Sequence, residues 1–123
     1  MKLSQAEEQL MEFIWECETA FMKDIMEHYP DPKPASTTLA TLLKRLQDKG
    51  AIAYRLFGNS RQYYPLVTKD EYFSKYMNNI VKKFFGNSAL QFASFFTTAG
   101  NMSEKELEDL KNIVEIEINK RKK

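Results

Sequence analysis

Hydrophobic and polar positions along this chain change their period twice. From Ser4 onward, Ala6, Leu10, Phe13, Ile14 and Cys17 recur at helical spacing, and Met11 and Trp15 widen the stripe. The opening "SQAE" has the form of a capping box, in which the Ser4 hydroxyl accepts from the Glu7 amide while Glu7 reaches back. A shorter second helix is predicted over about 20–29, capped by Thr19, with Phe21, Ile25, Met26 and Tyr29 inward. "PDPKP" ends it, because proline fixes φ and removes amide donors. A third helix, "STTLATLLKRLQD", puts Leu39, Leu42, Leu43 and Leu46 on one face, with Ser36 or Thr37 as its cap and Gly50 as its stop.

After Gly50 the period becomes that of strands. "AIAYRLF" and "RQYYPLV" flank "GNS" and predict a hairpin whose turn takes positive φ from Gly58 and Asn59. Pro65 is expected near the end of an edge strand. The helical period returns at "TKDE" (68–71), a second capping box, and runs to about Phe85 through Tyr72, Phe73, Tyr76, Met77, Ile80, Val81 and Phe84. Gly86-Asn87 breaks it, and Ser88 caps a short aromatic helix, "ALQFASFF". A third capping box, "SEKE" (103–106), opens a last helix with Leu107, Leu110, Ile113 and Val114, which ends in the basic tail "NKRKK".

The predicted fold class is therefore mainly α with a small β-hairpin wing. Residues 1–67 read as a winged helix-turn-helix, and residues 68–123 as a helical region. Phe84, Phe85, Phe92, Phe95 and Phe96 exceed what a thin helical appendage can bury alone. They need either the first domain or a second copy of the chain.

Composition adds little until it is divided along the chain. The 123 residues suggest one domain, or one with an appendage, and the net charge is +1. Yet residues 1–31 hold two cations against eight acids, whereas residues 33–61 hold six cations against Asp48 alone. The basic part surrounds the third helix and suits either a polyanionic partner or an ordinary solvated surface. Cys17 is the only cysteine, so neither a disulfide framework nor a metal-ligand spacing is available. Acids interrupt the N-terminus where a signal peptide would be apolar, and no apolar run approaches membrane-spanning length, so a cytoplasmic, soluble chain without membrane insertion is expected.

Catalytic chemistry finds no foothold. His28 is the only histidine and has no triad or metal-ligand spacing, Cys17 lies on an apolar stripe, and four glycines form no phosphate loop. No enzyme activity and no cofactor are expected. Nucleic acid fits better. A recognition helix needs one apolar face to dock on its domain and one face small enough, and rich enough in donors, to approach DNA. Thr37, Thr38 and Thr41 can bond phosphates or bases, and their methyls can meet a thymine methyl. Lys44 and Arg45 suit phosphates or guanines, and Arg55 and Arg61 flank the wing tip. The alternative is a winged-helix adaptor for protein partners, since fold does not fix function.

These stretches also carry a resemblance. "LSQAEEQLMEFIW", "TTLATLLKRLQDKGAI", "SRQYYPLVTKDEY", "FFGNSALQFASFF" and "SEKELEDLKNIV" are similar, in order and spacing, to segments of the penicillinase-repressor family of bacterial regulators, the BlaI/MecI/CopY group. The resemblance implies a homodimeric repressor whose N-terminal winged helix binds double-stranded DNA at an inverted-repeat operator. It implies that the C-terminal helices form the dimer, with Tyr76, Ile80, Phe84, Phe92, Phe96, Leu110 and Val114 as candidate interface residues. It also implies, for many members, a membrane sensor protease that answers β-lactams by having the repressor cut. The family's cleavage bond joins Asn to Phe; the gapless match puts Phe95-Phe96 there, so Phe96 agrees and Phe95 departs. The copper-responsive branch uses C-terminal cysteine pairs, which this chain lacks.

Overall fold

In the computed structural model, which describes residues 1–122, the chain starts as its capping box requires. Helix α1 spans Gln5–Cys17. The Glu7 amide donates to the Ser4 hydroxyl at 3.2 Å, and the Ser4 amide donates to Glu7 Oε1 at 2.7 Å. Leu10, Met11 and Ile14 form its buried stripe. The elements that follow are β1 (Ala20–Phe21), α2 (Met22–His28), α3 (Ser36–Asp48), β2 (Ile52–Phe57), β3 (Ser60–Pro65), α4 (Lys69–Phe84), α5 (Ala89–Ala99) and α6 (Glu104–Arg121). The order of helices and hairpin is that of a winged helix followed by C-terminal helices, as the periodicity predicts.

Four local expectations are corrected. The second helix begins at Met22, because Ala20 and Phe21 pair antiparallel with Tyr63 and Gln62 of β3 instead of coiling. Its cap is also not Thr19: the Phe21 amide donates to Asp24 Oδ2 at 3.0 Å. The sheet order is β1-β3-β2, so the strand that carries Pro65 is central rather than at an edge. Pro65 is tolerated because it lies past the two residues that β1 pairs, opposite Ile52 of β2 alone. At the hairpin tip only Gly58 takes positive φ, at +62°, the single left-handed position of a two-residue turn with glycine first.

Helix α3 stops by a Schellman arrangement. Gly50, at φ +78°, donates to Gln47 C=O at 3.0 Å, and Ala51 donates to Leu46 C=O at 2.9 Å. Leu39, Leu42, Leu43 and Leu46 are buried with Leu10, Met11, Ile14, Ile25, Ile52 and Tyr63 in one core. The exit from β3 is fastened to α1. The Trp15 indole N–H donates to Val67 C=O at 2.8 Å, the Tyr72 hydroxyl donates to Glu8 Oε2 at 2.5 Å, and Lys69 lies 3.6 Å from Glu12.

The chain divides into two compact units, Met1–Lys75 and the residues from Tyr76 onward, and α4 runs across the division. The first unit holds the core. In the second, Phe85 packs against Phe92 and Phe95, and Phe92 stacks on Phe96. Yet among the described residues no side chain after Tyr72 is buried.

One buried charge is unexpected. Glu7 is 2% exposed, and its Oε1 accepts from Lys49 Nζ at 2.7 Å. Lys49 also donates to the Lys2 carbonyl at 2.9 Å, so one ammonium ties the N-terminal segment and the start of α1 to the end of α3. Burial would raise the Glu7 pKa, but the hydrogen bonds from Lys49 and Ser4 together outweigh it and hold the carboxyl below its ordinary value. A lowered pKa contributes stability that is present above the ordinary carboxylate range and lost as the pH falls through the lowered value. Losing one partner of a buried pair costs roughly 3–5 kcal/mol. Lys49 is 38% exposed, so Lys49→Met is expected to cost less, about 2 kcal/mol, in urea unfolding. Glu7→Gln is expected to flatten the acid limb of the stability–pH curve.

Candidate nucleic-acid interface

The face of α3 opposite its leucines is bare. Ser36, Thr37, Thr38, Ala40, Thr41, Lys44 and Arg45 are all exposed. Thr37, Thr41 and Lys44 follow one ridge at helical spacing, and Ala40 keeps the neighbouring ridge low. The expected hydroxyl cap is not made: Ala35 is the N-cap, and among the described residues no side chain caps the first amides. The Ser36, Thr37 and Thr38 hydroxyls are therefore inside the first turn and uncommitted, and the helix N-terminus keeps its positive end open. The Thr41 hydroxyl is committed, donating to Thr37 C=O at 3.0 Å, which leaves its methyl and its acceptor lone pairs for a neighbour.

The six cations of residues 33–61 separate into three kinds. Lys33 donates to the carbonyls of Met26 and Tyr29 at 3.1 and 2.7 Å and so caps the end of α2, and Lys49 is the clamp on Glu7. Both are structural. Lys44 sits 2.9 Å from Asp48 one turn along the helix, an exposed pair. Among the described residues, Arg45, Arg55 and Arg61 have no carboxylate partner. The regional charge excess thus reduces to three free guanidiniums and one shared ammonium.

The wing orients its two arginines differently. Arg55 pairs with Gln62 in register and Leu56 with Arg61, so Arg55 and Arg61 project from opposite faces of the ribbon. Each lies over a tyrosine ring: Arg55 is 5.1 Å from the Tyr64 centroid and Arg61 is 4.4 Å from that of Tyr54. The rings hold the guanidinium planes while leaving their N–H edges available. Leu56 and Phe57 at the tip are 63% and 53% exposed.

The remaining candidates lie outside this surface. His28, at the end of α2, is exposed; its Nδ1 donates to Asp24 C=O at 2.9 Å. Cys17 is half-buried rather than fully in the core, its Sγ 3.8 Å from both His28 ring nitrogens, and burial followed by the Asp24 and Glu16 charges pushes its thiol pKa up. A raised thiol pKa opposes nucleophilic use. Among the described residues no cluster of His, Cys, Asp or Glu could hold a metal ion, and no helix is long and apolar enough to cross a membrane. Tyr76, Phe84, Phe95, Phe96 and Val114 are exposed, while Ile80, Phe92 and Leu110 are half-buried. The Phe95–Phe96 bond lies inside α5.

The family model described as penicillinase repressor matches residues 3–116. The chain belongs to the penicillinase repressor family. Over 114 residues it is 30% identical to the methicillin resistance regulatory protein MecI of Staphylococcus aureus strain N315, covering 92% of this chain and 93% of that protein. The same protein of Mammaliicoccus sciuri is 29% identical over the same length. This penicillinase repressor homologue is a DNA-binding transcriptional repressor of the BlaI/MecI type, not an enzyme.

For a repressor of this family the Lys44–Asp48 pair has a direct consequence. Asp48 is the last residue of α3, where an acid opposes the helix dipole, and the pair it forms is exposed. Such pairs contribute only about 0.2–1 kcal/mol to folding. Asp48→Asn is therefore expected to leave thermal stability nearly unchanged. It should tighten DNA binding several-fold at low salt and steepen the salt dependence, as fluorescence anisotropy titrations would measure.

Proposed function

We propose that two copies of this chain form the repressor and that it acts by occupying an inverted-repeat operator. Helix α3 enters the major groove, with Thr37, Thr38, Thr41 and Arg45 toward base edges. Lys44 and the wing residues Arg55 and Arg61 meet the phosphate backbone. The observation that carries this reading is the two-faced α3: four buried leucines on one side, and on the other uncommitted hydroxyls, a free guanidinium and an uncapped N-terminus. In this reading residues 1–67 are the DNA-binding domain and residues 68–123 the dimerisation region.

The dimer assignment rests on the missing core of the second unit. Phe84 and Phe96 are 68% and 46% exposed, and Leu90, Ile113, Val114 and Ile116 are exposed in the same unit. A helical unit with no buried side chain has little to offset its ordering entropy. A second copy covering Tyr76, Ile80, Phe84, Phe92, Phe96, Leu110 and Val114 supplies that burial, and a two-fold axis matches two half-sites. The description of its relatives as methicillin resistance regulators supports an operator of a β-lactam-resistance-type or related regulon. The family's mode of induction supports a membrane sensor protease upstream, with the bond at Phe95–Phe96 as the candidate cut; there, α5 must unwind locally to enter a protease.

Selection of the full-length protein against a random-sequence DNA pool at near-physiological salt tests the function. Enrichment of an inverted repeat, with half-site centres separated by about 10 base pairs or a multiple of that, is the expected result. A folded dimer that enriches nothing would favour the adaptor reading. Replacing Phe84 and Phe96 with Glu in the full chain should move sedimentation from dimer to monomer and weaken binding to the repeat by about 100-fold or more. Because both rings are exposed, the winged-helix unit should keep its fold. A variant that still sediments as a dimer would move the interface elsewhere.

A further inference from the structure

Lys23 lies in the acid-rich first third of the sequence, where the local balance hides it. Folding removes it from that company. Antiparallel pairing of Ala20–Phe21 with β3 brings the start of α2 against the wing. A cleft of about 310 Å³ opens there, lined by Lys23, Asn59, Ser60 and Arg61 and by the rings of Phe21 and Tyr63. Two cations from distant parts of the chain thus face one cavity. Among the described residues, neither has a carboxylate within ion-pair distance. The nearest acid in sequence, Asp24, is turned to its own helix start, where Oδ2 accepts from the Phe21 amide. Arg61 is held by its stack on Tyr54, which fixes the guanidinium plane and leaves its donor edge unpaired.

Two like charges around a cleft repel each other unless an anion lies between them. Lys23, Arg61, the Asn59 amide and the Ser60 hydroxyl supply donors without a single competing acid in the lining. The Arg61 fork can take two oxygens of a phosphate, and Lys23, Asn59 and Ser60 add single donors that a phosphodiester, with more acceptor oxygens than a carboxylate, can use together. Arg61 already belongs to the wing surface argued above to follow the DNA backbone. The geometry points to this cleft, with Lys23 as its new member, as the seat of one operator phosphodiester per subunit, outside the footprint of α3. The inference rests on the DNA-binding reading and adds to it a contact that sets register on the duplex without reading sequence.

The test uses the full-length dimer and its selected inverted repeat. Lys23→Gln is expected to lower the slope of log affinity against log salt by about two units, one phosphate in each subunit, with the preferred sequence unchanged. Lys23→Arg should keep the wild-type slope. Circular dichroism melting confirms that each variant is folded. Methylphosphonate substitution, which neutralises one phosphate at a time, should reveal a position in each half-site that weakens wild-type binding more than it weakens Lys23→Gln, in which Arg61 alone still faces that phosphate with charge. A Lys23→Gln slope equal to wild type, or equal losses for both proteins at every phosphate, would overturn the cleft while leaving the repressor reading intact. Failure of the wild-type dimer to bind any DNA would remove both.

Discussion

A helix that presents side chains to a duplex must be held rigidly by one face while its other face stays unpartnered, and α3 meets that condition with leucine. Leu39, Leu42, Leu43 and Leu46 are each 9% exposed or less. Burying such a side chain contributes about 1.5–3 kcal/mol. Against this stand the defects of the working face. A missing side-chain cap costs about 1 kcal/mol, and threonine costs up to about 0.7 kcal/mol relative to alanine at an interior helical position. The leucines exceed both together. The N-terminal turn can therefore be poor as a helix start and useful as a binding surface, because its stability comes from elsewhere.

Helix α1 organises the rest through its acids. Glu7 is buried under Lys49 at the end of α3, Glu8 takes the Tyr72 hydroxyl and Glu12 faces Lys69. Three of the eight acids in the first third thus hold α3 and the start of α4 in place. The charge asymmetry along the chain is partly an internal fastening, and only the remainder is available to act at a distance. The same sorting applies to the cations, where Lys33 and Lys49 are spent on carbonyls and a carboxylate.

Much of this was legible in the sequence where a signal was local. The three capping boxes, the leucine face of α3, the stop at Gly50 and the hairpin all follow from period and turn chemistry. What escaped depended on pairing between distant residues. Ala20 and Phe21 read as helix because nothing near them announces Tyr63 and Gln62 as strand partners. Pro65 read as an edge residue because the reach of β1 cannot be seen from β3 alone. Glu7 read only as a capping residue and Lys49 only as one of the cations around the third helix, since burial of an ion pair leaves no periodic mark. The face of the wing on which each arginine projects required the register, and Lys23 was masked by neighbours in sequence that are not its neighbours in space. The capping box at Glu7 was no guide to this burial, because Glu71 and Glu106 make the same reciprocal box and are exposed.

The fastening at the exit of β3 has an optical side. Trp15 is the only tryptophan in the chain. Its indole N–H is bonded to Val67 C=O, and its ring lies about 6 Å from those of Tyr72 and Phe73. The sole strong intrinsic fluorophore therefore sits where the first turn of α4 is fastened to α1, inside the first unit. Emission colour and quenching at that ring report whether this fastening is made, without a label and without a second indole to dilute the signal.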